Sequence, residues 1–178
     1  TRVAAGLGMI PRVATSGEAI YRARVPASEI ERRLASCWRP YHAALSGLID
    51  QTWRAFGGVL LVDAHSMPSS ASGVGSRDRE ARVDIVLGDN HGEACAPELV
   101  GLAERWLAAQ GLRVERNHPY AGGFTTRHYG RPQDGRHALQ IEINRGIFPF
   151  GGATLRLPQR PLRLEEKQGG KSGHFQRE

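Results

Sequence analysis

An α/β domain, a sheet with helices packed over its faces, follows from two observations along the 178 residues. Continuous apolar runs that end in polar residues recur at GVLLVDAH (58–65), VDIVLG (83–88), LRVERN (112–117) and HALQIEIN (137–144). Runs of that length and composition are strands. Stretches with apolar residues at helical intervals alternate with them, and alternating strands and helices build a covered sheet. The length suits one domain with a proper core rather than two.

Taken in order, residues 1–26 are punctuated by glycine and proline and read as surface loops with at most an edge strand. Ser28 and Glu31 have capping-box spacing, and Ile30, Leu34, Trp38, Tyr41, Leu45, Leu48 and Ile49 follow on one face. They predict a helix from about 28 to 55, kinked at Pro40 because proline removes a donor and crowds the preceding turn. The first strand, 58–65, is expected to be buried on both faces. A second helix starts near Pro97 and stops at Gly111, a good C-terminal cap. Two long, polar, glycine-rich segments, 66–82 and 118–136, each follow a strand. Long loops at strand carboxyl ends are where ligands collect in open α/β sheets.

Composition excludes several classes. With 40% hydrophobic and 24% charged residues the chain is ordinary for a globular domain. No run spans a bilayer and no signal-peptide pattern opens the chain, so no membrane partner is expected. Cys37 and Cys95 lack CxxC spacing, and reduced thiols fit a cytoplasmic protein. The net charge of +6 does not predict nucleic-acid binding. Half of it lies in 151–178, and the remainder is scattered arginine without the interleaved aromatics of a base-stacking surface. Both lysines, Lys167 and Lys171, fall in that same segment, which loses hydrophobic periodicity and reads as a disordered tail. No sequence feature sets an oligomeric state.

Candidate chemistry sits where strands end. His65, in DAHS, has a backbone fixed by the sheet and an imidazole free to face a crevice, which suits a metal ligand. The alternative is a histidine that hydrogen-bonds a loop. Asp63 can orient it from two residues back, if strand alternation turns it the same way. Glu142 is an acid inside an apolar strand, and a buried carboxylate needs a partner to offset several kcal/mol of desolvation. A salt bridge to Arg145 or Arg127 would do so, and a general base facing an activated water is the functional alternative. Arg127 and Arg145 present forks that match a carboxylate, while a solvated basic loop is the plain alternative for Arg127. Paired Gly122 and Gly123 let backbone approach a ligand. His42 reads as a structural hydrogen-bonder at a helix–sheet seam, and His91, His137 and His174 as surface residues.

Together, DAHSMPS, RVDIVLGDNHGEACAPEL, RNHPYAGGFTTRHYGRP and HALQIEINRGIF resemble the N-formylglutamate amidohydrolase family, in family order and spacing. GLGMIPRV and RRLASCWRPYHAAL resemble its upstream segments, so the likeness covers about 6–148. It implies a three-layer α/β/α sandwich with a mixed sheet, of the zinc-carboxypeptidase-like (phosphorylase/hydrolase-like) kind. It also implies zinc-dependent hydrolysis of N-formyl-L-glutamate to formate and L-glutamate, in histidine degradation. His65 falls on the family's metal ligand, Glu142 on its catalytic base and Arg127 on a holder of the substrate carboxylate, with Arg145 a second candidate. The partner implied is a small acidic N-acyl amino acid.

Two departures shape the expectation. The family's P-H-S-G segment and a further acidic residue, which resemble its other metal ligands, lie upstream of anything in this chain. Residues 1–148 therefore read as a partial amidohydrolase domain, and 149–178 as an atypical or frameshifted tail. Weak zinc binding and negligible turnover are expected of these residues alone, since catalytic zinc sites use three protein ligands. The alternatives are a relative acting on another N-acyl amino acid and a catalytically dead fragment.

Overall fold

The computed structural model of the chain describes residues 8, 10–14, 16–69 and 83–147. The expected tail from 149, and residues 70–82 of the first long loop, lie outside the described residues. Helix α1 (Ala27–Arg33) runs into a single π-helical turn, Leu34–Trp38, and then α2 (Arg39–Phe56). Strand β1 (Val59–Met67) follows, then β2 (Ile85–Gly88), α3 (Pro97–Ala109), β3 (Val114–Arg116), α4 (Phe124–Tyr129) and β4 (Arg136–Asn144).

The long helix expected over 28–55 is present as one continuous helical run from Ala27 to Phe56, with a π-helical turn just ahead of Pro40, although its N-terminal signals are used differently. Pro40 lies inside this run, where a proline removes a backbone donor and crowds the preceding turn. The wide turn before it closes with the Arg39 N–H donating to the Leu34 carbonyl, which relieves the crowding a proline ring imposes on an α-helical turn. Ser28 and Glu31 do not form the expected cap. The helix begins at Ala27 behind Pro26 with no side-chain cap, and Glu31 pairs with Arg39 at 2.6 Å instead. Among the described residues of 1–26, the edge strand the sequence suggested is represented by an isolated bridge between Val13 and Ala19.

The sheet order is β1-β4-β2-β3. β4 is parallel to β1 and antiparallel to β2, while β2 and β3 are parallel, so the sheet is mixed. Paired residues of neighbouring strands project to the same face. One face carries Leu139, Ile141 and Ile143 of β4 with Ile85 and Leu87 of β2, and α3 packs there through Leu99, Val100, Ala103 and Leu107. On the other face α2 is fixed by Arg136 of β4, which pairs with Asp50 at 2.7 Å and lies over the Trp53 ring. Helices on both faces make the α/β/α sandwich.

β1 corrects one expectation. Its apolar run predicted burial on both faces, but among the described residues β1 is an edge strand, and Leu60 and Val62 are 42% and 49% exposed. The apolar core of α3 lies over β2 and β4 and does not cover the β1 margin. The helix from Pro97 to Gly111 agrees with the sequence: Gly111 follows it in the left-handed region at φ 81°. The second long loop is more ordered than its composition suggested, since 118–136 contains α4 and a short 3-10 turn at Pro132–Asp134.

Gly88 ends β2 where the 121–122 backbone crosses the sheet. A Cβ there would stand 2.7 Å from the Gly122 nitrogen and 2.8 Å from the Ala121 carbonyl carbon. Gly88→Ala should therefore cost about 1–3 kcal/mol of unfolding free energy by overpacking, measured by urea denaturation. Unchanged stability would show that the crossing segment yields freely.

Candidate active site

The face of the sheet that carries α2 also carries a polar row. On β4, Gln140, Glu142 and Asn144 alternate with the apolar residues of the α3 face, and all three are buried. On β1, Asp63 and His65 lie in register with Gln140 and Glu142. Val86 and Gly88 of β2 complete the row on the other side. His65 and Glu142 are therefore side-by-side residues on adjacent parallel strands, near the carboxyl ends of both. Asp63 and His65 share that face, and the His65 Nε2 lies 3.1 Å from Asp63 Oδ1. This contact occupies one imidazole nitrogen and leaves Nδ1 free of that contact. His65 is half exposed and Asp63 largely covered.

Glu142 is only 6% exposed. Neither of the two arginines that the salt-bridge alternative offered neutralises it. Arg127 is exposed on α4 and its Nη1 donates to the Gly122 carbonyl at 3.1 Å. Arg145 reaches back from the end of β4 to Ser66, the residue after His65, donating from Nε to Oγ at 3.2 Å and from Nη2 to the backbone carbonyl at 3.3 Å. The partner of Glu142 is Gln140, whose Nε2 donates to Oε1 at 2.6 Å. The Gln140 Oε1 in turn accepts the Gly123 N–H at 2.5 Å.

The wall beside this row comes from residues that sequence reasoning passed over. Asp89, buried beyond the end of β2, accepts from Asn117 Nδ2 at 2.7 Å and from the Gly92 N–H at 3.0 Å. Asn117 returns the contact by accepting the Asp89 N–H at 3.1 Å. The Asn90 N–H donates to Ala121 at 2.7 Å and so holds the glycine segment that leads to α4. Gly122 sits at φ 118°, and a Cβ there would strike Thr126, so the sharp entry to α4 requires glycine. The signal for Gln140 was present as period-two polarity in LQIEIN, but polarity alone does not name a partner.

An aromatic cluster ties α4 to α2. His42 Nδ1 lies 2.6 Å from the Tyr129 hydroxyl, and the ring stacks on Tyr129 and meets Trp38. Burial, then Tyr41, raises the Tyr129 pKa above its ordinary value. His42 is a structural hydrogen-bonder, as the sequence suggested, although it joins two helices rather than a helix and the sheet. His137, read as a surface residue, is half-buried and accepts the Ala96 N–H at the start of α3. His91 is exposed, and His174 lies outside the described residues.

With this geometry in view, comparison with known proteins is decisive. The N-formylglutamate amidohydrolase profile matches residues 1–148. The chain belongs to the N-formylglutamate amidohydrolase family. It is 35% identical over 140 residues to an N-formylglutamate deformylase of Pseudomonas aeruginosa, covering 76% of this chain and 51% of that one. A Pseudomonas putida deformylase is 33% identical over 144 residues, covering 79% and 53%. The crystal structure of N-formylglutamate amidohydrolase from Ralstonia eutropha JMP134 superposes with a TM-score of 0.72 at 38% identity, over 80% of this chain and 51% of that one. The chain thus spans about half the length of the curated relatives it matches. No described helix is long and apolar enough to cross a membrane.

Cys95 is fully buried, and burial, with Asp89 adding to it, pushes its thiol up to about 11. A raised pKa keeps the group as the unreactive thiol at pH 8. Titration of the native chain with an aromatic disulfide at pH 8 should modify one thiol, the exposed Cys37, and two after denaturation. Two fast thiols in the native chain would show that the wall beside Asp89 opens.

Proposed function

We propose that this site serves the hydrolysis of N-formyl-L-glutamate to formate and L-glutamate. The observation that carries the proposal is the lateral pairing of His65 with Glu142, a metal-ligand type beside a buried carboxylate on one face of the sheet. Glu142 is the general base: its carboxylate takes a proton from the attacking water and returns it to the departing amine. Arg145, beside Ser66, and Arg127, on α4, are candidate anchors for the two carboxylates of the glutamyl group, each offering a bidentate fork. Family membership and the names of the relatives support this substrate class.

Zinc, or another divalent metal, enters the proposal through His65, oriented by Asp63. The donor type fits. The donor count does not, since no group of three or more histidine, cysteine or acidic residues that could hold a metal occurs among the described residues. The proton transfers need no step through a metal, and zinc held by the described residues alone is expected to be weak and chelator-labile.

The test is formate release from N-formyl-L-glutamate and N-acetyl-L-glutamate, with and without added zinc. Release is expected to be slow, selective for the formyl substrate and lowered at least about 100-fold by Glu142→Gln. Arg145→Ala or Arg127→Ala should raise KM about tenfold or more with kcat largely kept. Full activity in Glu142→Gln would remove the base assignment, and equal rates on the acetyl substrate would favour a broader N-acyl amino acid hydrolase.

A further inference from the structure

Gln140 faces the polar row yet has no role in the chemistry above. It is 5% exposed, and both ends of its amide are engaged. Oε1 accepts the Gly123 N–H, which can only donate, so the amide orientation is fixed by its neighbours rather than free to flip. Nε2 is thereby directed at Glu142, to which it donates at 2.6 Å. Among the described residues no other side-chain hydrogen bond to the Glu142 carboxylate is seen, and Gly123 is the residue from which α4, the helix bearing Arg127, begins.

Resting on the hydrolase reading above, we propose that Gln140 is a positioning residue: one amide that fixes the Glu142 carboxylate and sets the start of the Arg127 helix against it. The physical case is strongest at Glu142. A buried carboxylate that is held by a single forced donor keeps its second oxygen free to accept a proton from water, and its rotamer is set without a neutralising cation. An arginine partner would have held both oxygens and made a poorer base. At the other end, the Gly123 bond turns the same constraint into a fixed spacing between the base and the carboxylate anchor. A single side chain thereby couples the reacting end of a substrate to its recognised end.

Two substitutions separate this from a purely structural role. Gln140→Met keeps length and loses both bonds. Gln140→Glu keeps an acceptor for Gly123 but replaces the amide donor by a carboxyl, which either repels Glu142 or shares its proton. In both variants the Glu142 carboxylate loses the amide donor that sets its rotamer and is no longer held in position to meet the attacking water, and in Gln140→Glu a shared proton would also occupy one of its oxygens. The expected result for Gln140→Glu is retained exchange protection of the Gly123 amide, with kcat for formate release lowered about tenfold or more and KM within about twofold. Gln140→Met should lose the Gly123 protection, lower kcat and raise KM. A residue that only braces the glycine turn predicts wild-type kcat in Gln140→Glu, and that result would overturn the proposal.

A readout independent of turnover accompanies these. In 15N-labelled chain, one Gln140 side-chain amide proton should resonate downfield and exchange slowly, and Glu142→Leu should return it to ordinary exchange. An amide that exchanges at solvent rates in the wild-type chain would refute the clamp. An intact amide signature with formate release that Glu142→Gln leaves unchanged would instead count against the hydrolase reading, while the clamp itself stood.

Discussion

A carboxylate buried in the central strand must be satisfied by what surrounds it, and the arrangement of this site follows from that constraint. Glu142 lies in β4 with β1 on one side and β2 on the other, where water reaches it poorly. An unpartnered charge there would cost several kcal/mol, comparable to the folding margin of a domain. The chain answers with a neutral donor rather than a cation. Gln140 supplies it from the same face two residues earlier, and the Gly123 N–H fixes which end of the amide does so. Arg127 and Arg145 are thereby left available at the margin of the site instead of being consumed in its centre.

The helices are subordinate to this row. The crossing of the 121–123 backbone over Gly88 brings Gly123 within reach of Gln140, and the Asp89–Asn117 pair stiffens the turn from which that segment hangs. The π-helical turn before Pro40 precedes the helix on which His42 meets Tyr129, so α2 and α4 are joined by a hydrogen bond and ring packing rather than by a large apolar seam. Trp38 and Phe124 remain about half exposed there, next to the histidines they pack against. On the opposite face, α3 supplies the apolar burial that the polar row cannot. The two faces differ: one side of the sheet is an apolar core, the other a hydrogen-bonded polar surface.

Much of this was legible in the chain itself. Four strands and the helix from Pro97 were marked by composition and caps, and the polar residues at strand ends marked where a site would lie. His65, Asp63 and Glu142 stood out because an ionisable group in or just beyond an apolar run needs a reason. The capping box at Ser28 failed because Pro26 and Ala27 open the helix two residues earlier and Glu31 finds Arg39. The burial expected of β1 failed because an apolar run reports what a strand can bury, not which neighbours it has.

The sequence by itself determined the alternation that sorts β4 into an apolar face and a polar face, since a strand turns successive side chains to opposite sides whatever its neighbours are. It also determined the residue types available for proton transfer and carboxylate recognition. Only the tertiary structure decided who meets whom. That His65 lies beside Glu142 depends on the register between strands more than seventy residues apart, and a slip of one position would have sent one of them to the α3 face. That Gln140, rather than an arginine, holds Glu142 depends on where the glycine segment crosses the sheet, a matter of close packing across the chain that local periodicity does not encode.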